Sequence, residues 1–367
     1  VRVLDRTTLN RALLARQLLD RRSTLPAIGA VEHLVGLQAQ EPLEPYVGLW
    51  SRVDGFIPRD LVQLLEERHA VRTLLMRRTL HLVSAEDCLQ LRPVHHRMLV
   101  TRMYGTLRRQ LPGVDLDELA EAAAPHFTGE PRRTTDVARI LASRWPDVAR
   151  RDLADALGTV VPLVQVPPRG LWGRTAPATC LTTGSWLGRT PGPASTDPLA
   201  ELVLRYLRAF GPAASADIRA WSGLTGLPAV IARLRPQLCT YRDERGRELL
   251  DVEDGPLPDP DIPVPVRFLP AFDNAVLGYD DRSRVIDAPH RGLSVRGARF
   301  VLVDGRVAAT WTSGRETTPD PVTVTVTPLR TLTEDEQEQV RDEATQLATF
   351  LGDGLPGRVV LDRRRSA

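Results

Sequence analysis

The sequence predicts an α+β protein: three tandem winged-helix motifs followed by a small C-terminal β-sheet or barrel with a terminal helix. Three observations predict it. An order of three helices and then a β-hairpin recurs three times between residues 1 and 262. A Pro/Gly/Ser-rich stretch at 190–198 interrupts the pattern after the second round. From 265 to 329 the apolar residues alternate with period two, and a capped amphipathic helix follows. The expected organisation is a first winged helix over 1–110, a second over 111–190, a third over 191–262, and a C-terminal β domain with its final helix over 263–367.

Residues 8–21 are expected to be helical, with Leu9, Leu13 and Leu18 on one face. Pro26 opens a second helix over 27–38, which Pro42 and Pro45 prevent from continuing. Pro58 opens a third over 59–70, striped by Leu61, Leu64 and Leu65. Residues 71–76 and 79–83 read as short strands on either side of Arg77-Arg78. Ser84, three positions before Asp87, then starts a helix that carries arginines up to Arg109.

The second round places helices at 116–126, 135–145 and 151–158, and strands at 162–166 and 176–182. Pro167-Pro168-Arg169-Gly170-Leu171-Trp172-Gly173-Arg174 joins those strands, and a Pro/Gly-rich tip with an aromatic ring and arginines suits a wing that touches a nucleic-acid backbone. The third round has helices at 199–210, 215–222 and 228–234, and a hairpin around Asp243-Glu244-Arg245-Gly246. The rounds share element order rather than residues. In the last stretch, 300–303, the turn Asp304-Gly305 and 306–311 form the clearest hairpin. Thr333 and Glu336 make a capping box, and Val340, Ala344, Leu347 and Leu351 give a helix face that ends at Gly352 and is expected to pack on that sheet.

Composition removes several functions. Over 367 residues, 42% hydrophobic and 26% charged content matches a folded globular chain. No window approaches 18 uninterrupted apolar residues and residues 1–22 lack a signal-peptide core, so a cytoplasmic protein with no membrane partner is expected. Cys88, Cys180 and Cys239 stand far apart, which disfavours both a disulfide framework and structural zinc. All 48 basic residues are arginine. The absence of lysine excludes a Walker lysine, pyridoxal chemistry on a side chain, and any lyase that works through a side-chain amine.

The net charge of +2 hides an uneven distribution. Residues 68–109 hold nine arginines against Glu86 and Asp87, a net +7, whereas 243–261 hold eight acids against two arginines. The first stretch is a candidate phosphate-facing surface, with an ordinary solvated surface as the alternative. Motifs HExxH and GxSxG and a nucleotide-phosphate loop are missing, and Gly184-Ser185-Trp186-Leu187-Gly188 has its serine in the wrong place for a nucleophile elbow. His95 and His96 diverge by about 100° on a helix and do not share a metal with ease, so a solvated or phosphate-contacting role is expected for them.

One local feature stands apart. In Leu37-Gln38-Ala39-Gln40-Glu41-Pro42 two amides are spaced i, i+2 where a helix is expected to end. On extended backbone such residues share a face, and amides offer donors and acceptors without charge, which suits holding a water beside a cationic centre. Capping or solvation of a helix end is the plainer alternative.

Four blocks in order carry a resemblance: Val35-Gly36-Leu37-Gln38-Ala39-Gln40-Glu41-Pro42, Arg77-Arg78-Thr79-Leu80-His81-Leu82-Val83, Pro167-Pro168-Arg169-Gly170-Leu171-Trp172-Gly173 and Phe268-Leu269-Pro270-Ala271-Phe272-Asp273-Asn274. Together they resemble the tandem winged-helix DNA glycosylases of the AlkZ/YcaQ-like family over nearly the whole chain. Gln38-Ala39-Gln40 resembles the Gln-x-Gln branch, that of the azinomycin self-resistance glycosylase, rather than the Gln-x-Asp branch.

The resemblance implies an enzyme acting on double-stranded DNA; three winged modules and a β domain in one chain point to a monomer, and no cofactor is expected. The resemblance implies excision of N7-alkylated purines, including unhooking of interstrand crosslinks, by hydrolysis of the N-glycosidic bond. It assigns the water to Gln38 and Gln40, with Gln40 foremost and Glu41 a rival general base. The absence of lysine adds that such an enzyme is monofunctional. Arg77, Arg78 and His81 on the first wing are expected to contact phosphate or line the pocket, and Arg169, Trp172 and Arg174 on the second to meet DNA, with packing the alternative for Trp172. Asp273 and Asn274 cap a turn or contact DNA. A lesion-probing hairpin is expected within 296–311. The competing class is a non-catalytic winged-helix transcription regulator.

Overall fold

The computed structural model describes residues 1–192, 195–315, 317 and 320–362. Residues 193 and 194 of the expected 190–198 linker, and residues 316, 318, 319 and 363–367 of the expected C-terminal domain, lie outside the described residues. The architecture is mixed α+β, with two five-stranded sheets and one three-stranded sheet.

The first helix, Arg6–Arg16, starts where the Asp5 carboxylate accepts from the Thr8 amide at 2.7 Å. Ahead of it, Val3–Leu4 pairs in parallel with Leu238–Asp243, whose other neighbour is Glu248–Val252. A buried ion pair, Arg16 to Asp251 at 2.6 Å, reinforces this union of the N-terminus with the third hairpin.

The second helix covers only Ala27–His33, shorter than the expected 27–38. Val35 and Gly36 then take φ values of 55° and 91°. A Cβ on Gly36 would stand 2.6 Å from Val83 Cγ1, so glycine permits both the left-handed turn and the close approach. The chain leaves that turn extended, and Leu37–Gln38 becomes an edge strand. A helix at Glu44–Trp50 was not anticipated; Pro45 sits in its first turn, where proline starts a helix rather than blocking one.

Next come the helix Pro58–Glu66, the hairpin Ala70–Leu74 and Leu80–Ser84, and the long helix Ala85–Leu107, on which the Ser84 hydroxyl accepts from the Asp87 amide at 3.2 Å. Helices Leu116–Ala123, Thr134–Leu141 and Arg150–Val160 follow, with strands Leu163–Gln165 and Cys180–Thr182. These two strands join the first hairpin in one sheet, through Arg72 opposite Gln165 and Thr73 opposite Val164. Helices Pro198–Phe210, Ser215–Ser222 and Leu227–Leu234 precede the third hairpin.

Strands Arg267–Leu269, Arg299–Val303, Arg306–Gly314, Thr323–Pro328 and Arg358–Leu361 build the last sheet, antiparallel except for the final pair. The helix Glu334–Leu351 packs on it, with Val340, Ala344 and Leu347 in a core with Phe268, Val301 and Val326. A second core draws Leu13, Val83, Val164, Phe210, Trp221 and Phe300 from all four expected stretches, so the successive motifs are welded together.

The arginine-rich stretch divides on folding. Arg72 and Arg92 are buried and Arg77 is partly so, while Arg68, Arg97, Arg102, Arg108 and Arg109 are exposed. His95 is not solvated as expected: it lies in the interior, and its Nδ1 donates to the Leu91 carbonyl at 2.8 Å. His96 is half-buried against Arg92.

Candidate active site

Sheet register determines what stands beside the first amide. Gln38 lies opposite His81, and His81 opposite Thr73, so the three share one face. Pairing continues past the strand, as the Ala39 amide donates to the Leu80 carbonyl at 2.8 Å. The Gln-x-Gln segment thus leaves an extended stretch rather than a helix end. Ala39 is buried, and its carbonyl accepts from Arg72 Nη2 at 2.7 Å. Gln38 is buried too, whereas Gln40 and Glu41 are exposed. Gln40 Oε1 receives only a long contact, 3.4 Å, from the Leu80 amide.

Arg77 joins three segments. It stands in the tight turn between Ala70–Leu74 and Leu80–Ser84 at φ 57°, and Arg78 follows at 62°. Two successive non-glycine residues in the left-handed region are uncommon, and the turn they form carries Arg77 back over the sheet edge. Its Nη2 donates to Gln38 Oε1 at 2.8 Å and to Asn274 Oδ1 at 2.9 Å, and its Nη1 donates to the Trp221 carbonyl at 2.9 Å. All three acceptors are neutral. Burial, with Arg282 and Arg102 nearby, lowers the guanidinium to about 10, so it stays charged at neutral pH. Asn274 opens the short helix Asn274–Leu277, and Asp273 caps that helix by accepting from the Ala275 amide at 2.8 Å.

His81 is fully enclosed. Its Nδ1 donates to the Thr79 carbonyl at 3.0 Å, and its Nε2 has no partner. Burial and then Arg77 push its pKa down to about 3, and burial, with Arg92 adding, takes His95 to about 4. Both rings are therefore neutral at physiological pH. The site combines neutral amides with one guanidinium, and exposed Glu41 follows Gln40. Amides and a guanidinium can orient water and bind dipoles, and neither neutral histidine is charged to protonate a leaving group. Among the described residues no cluster of three His, Cys, Asp or Glu side chains is placed to hold a metal.

The other sequence-derived residues disperse. Arg78 pairs with Asp155 at 2.5 Å and so ties the first turn to helix Arg150–Val160. His81 is too deep to reach a phosphate in this structure. Arg169 donates to the Ala176 carbonyl at 2.9 Å, and Arg174 is exposed. Trp172 packs at a tilt against Tyr46 and Phe350, with ring centroids 5.0 and 5.3 Å away, and donates to Asp353 Oδ1 at 2.5 Å, so the ring is packed in this structure. Sequence reasoning missed Asn274 as a partner of Arg77, and missed Arg102, whose Nη1 donates to the Arg77 carbonyl at 3.2 Å. The available signal was the Asp273-Asn274 pair that ends the fourth sequence block.

Against known proteins, the pattern of the family described as DNA glycosylase AlkZ-like matches residues 31–350. The solved structure of Streptomyces sahachiroi DNA glycosylase AlkZ is similar at 19% identity, with a TM-score of 0.76, over 98% of this chain and 100% of that one. No curated protein matches the chain.

Proposed function

The chain belongs to the AlkZ-like DNA glycosylase family, and from that premise we propose that it is a monofunctional glycosylase that hydrolyses the N-glycosidic bond of N7-alkylated purines, including N7-guanine interstrand crosslinks of the azinomycin type. It acts as a cytosolic monomer on double-stranded DNA, in repair and self-resistance, through three winged-helix motifs and a C-terminal β domain. No described helix is long and apolar enough to cross a membrane.

The observation that carries this reading is the Gln38-Ala39-Gln40 segment, with Gln38 held by Arg77 and Gln40 exposed beside Glu41, its rival as general base. Sugar hydrolases that cleave C–O bonds use two carboxylates, because the leaving oxygen must be protonated and the oxocarbenium ion stabilised. An N7-alkylpurine is already cationic. When its C1′–N9 bond breaks, the electron pair goes to the base, which leaves neutral, and positive charge moves to the sugar. A water oxygen then bonds to C1′, and its surplus proton passes to solvent. Positioning that water and tolerating the charge are tasks for amides, and neutral His81 and His95 do not interfere. With no lysine in the chain, no side-chain amine attacks C1′, and the abasic product is left uncut.

The test is release of free base from duplexes containing N7-methylguanine or an N7-to-N7 guanine crosslink, by wild type and by Gln40→Ala. Release by wild type, strand cleavage only after alkali, and a roughly 100-fold slower Gln40→Ala with unchanged thermal midpoint are expected. Sequence-dependent binding of undamaged duplex with no base release would overturn the reading in favour of a regulator. A Gln40→Ala protein that unfolds would make Gln40 structural.

A further inference from the structure

The guanidinium of Arg77 has N–H donors and no acceptor. Gln38 and Asn274 each place one end of an amide against the same Nη2, at 2.8 and 2.9 Å. Both ends must be oxygen, because a flipped amide would set N–H against N–H. The orientation of the two side chains is therefore dictated by chemistry, and their NH2 groups face away from Arg77. Gln38 Nε2 makes no hydrogen bond to a described residue, and Asn274 Nδ2 is buried without a partner. Beside one cation, then, stand two amides with their acceptors taken and their donors left over.

The positions of the two glutamines now differ in kind. Gln38 is buried and held by Arg77, while Gln40 is exposed and its Oε1 is engaged only at 3.4 Å. We propose that Arg77 is a positioning residue that fixes the amide of Gln38 as a hydrogen-bond donor towards the reaction centre, leaving Gln40 as the acceptor for the attacking water. The role is one of orientation rather than of phosphate contact. Arg77 is itself held by the Trp221 and Asn274 oxygens, and its backbone carbonyl accepts from Arg102. A hydrogen bond donated by Gln38 would hold the water oxygen, while one accepted by Gln40 would direct a water proton away from C1′. The inference rests on the glycosylase reading above.

The test separates donor from acceptor at position 38. Gln38→Glu keeps the shape and gives Arg77 a carboxylate, but removes the NH2 group. Expected are a thermal midpoint no lower than wild type, unchanged duplex affinity, and single-turnover base release slowed about 100-fold, as far as in Gln38→Ala. Arg77→Met is expected to slow release to a similar extent and to add nothing in the Gln38→Glu background, while Arg77→Lys, which retains one donor arm, recovers part of the rate. Should Arg77→Met unfold, Gln38→Glu and Arg77→Lys still decide. Release by Gln38→Glu within a few-fold of wild type would overturn the orientation role alone. Absence of release by wild type would overturn the glycosylase reading, and this inference with it.

Discussion

Arg52 Nη2 donates to Asp273 Oδ1 across 2.8 Å, and both side chains are buried. Arg52 also donates to the carbonyls of Gln17 and Gly48, at 3.0 and 3.1 Å, while Asp273 caps the helix that begins at Asn274. This ion pair therefore anchors the segment whose Asn274 holds Arg77, and ties it to the N-terminal part of the chain.

Asp273→Asn tests that anchor. Asparagine caps a helix as well as aspartate does, so the substitution leaves the cap and removes the charge. A buried cation without its partner costs about 3–5 kcal/mol. We predict a loss of that order in chemical denaturation. A loss below about 1 kcal/mol would show that the carbonyls alone satisfy Arg52.

Gly170 lies at φ +96°, and a Cβ there would stand 3.1 Å from Arg72 Cδ and 3.2 Å from its Nη1. Its carbonyl accepts from the Tyr46 hydroxyl at 2.8 Å, so the loop is held in place. Gly170→Ala meets both a strained backbone and a crowded arginine, and we predict a cost above about 1 kcal/mol. Because Arg72 also holds the Ala39 carbonyl, slower base release is expected along with the lower thermal midpoint. An alanine protein with wild-type stability would show that Arg72 moves aside freely.

Much of the fold was legible because it follows from local chemistry. The Thr333–Glu336 capping box, the Asp304-Gly305 turn and the period-two run between them act over a few residues, and the structure has each in place. The break after His33 was not legible, since positive φ at Val35 depends on Gly36 packing against Val83, some fifty residues away. Nor was the burial of Arg72 and Arg92 legible, because a charge count along the chain does not say which side chains face the sheet neighbours. At the site, Gln38 and Gln40 came from a short motif. The meeting of Gln38, Arg77 and Asn274 is a tertiary contact spanning more than two hundred residues, and periodicity has no access to it.

Burial of His81 and His95 gives stability a definite pH dependence. Their folded pKa values are about 3 and about 4, below the ordinary 6.5 of the unfolded chain. Between those limits the unfolded state binds more protons, so stability is fully present above about pH 6.5 and declines as pH falls. We predict a loss of roughly 2 kcal/mol per histidine by pH 5, with half-buried His96 adding in the same direction. Urea denaturation at pH 7 and pH 5 measures the loss, and His95→Asn is expected to reduce it by about one proton's share. A pH-independent stability over that range would mean that the rings are protonated inside the fold.

The long helix Ala85–Leu107 and the residue just after it expose Arg97, Thr101, Tyr104 and Arg108, at spacings that keep all four within one stripe. Over eleven residues this stripe runs about 17 Å, comparable to several phosphates along a strand. Arg77 differs, because its guanidinium is spent on Gln38, Asn274 and Trp221. If the glycosylase binds duplex along the helix, Arg97→Ala with Arg108→Ala releases about two fewer counterions on binding. The slope of log affinity against log salt is then expected to flatten by nearly two, roughly 0.9 per lost contact. Arg77→Met, which removes the charge but, on this reading, no phosphate contact, is expected to leave the slope as it is. Fluorescence anisotropy between 50 and 200 mM salt, a range in which phosphate contacts govern affinity, distinguishes the two. A slope that responds to Arg77→Met and ignores the double alanine variant would move the DNA path from the helix to the Arg77-Arg78 turn.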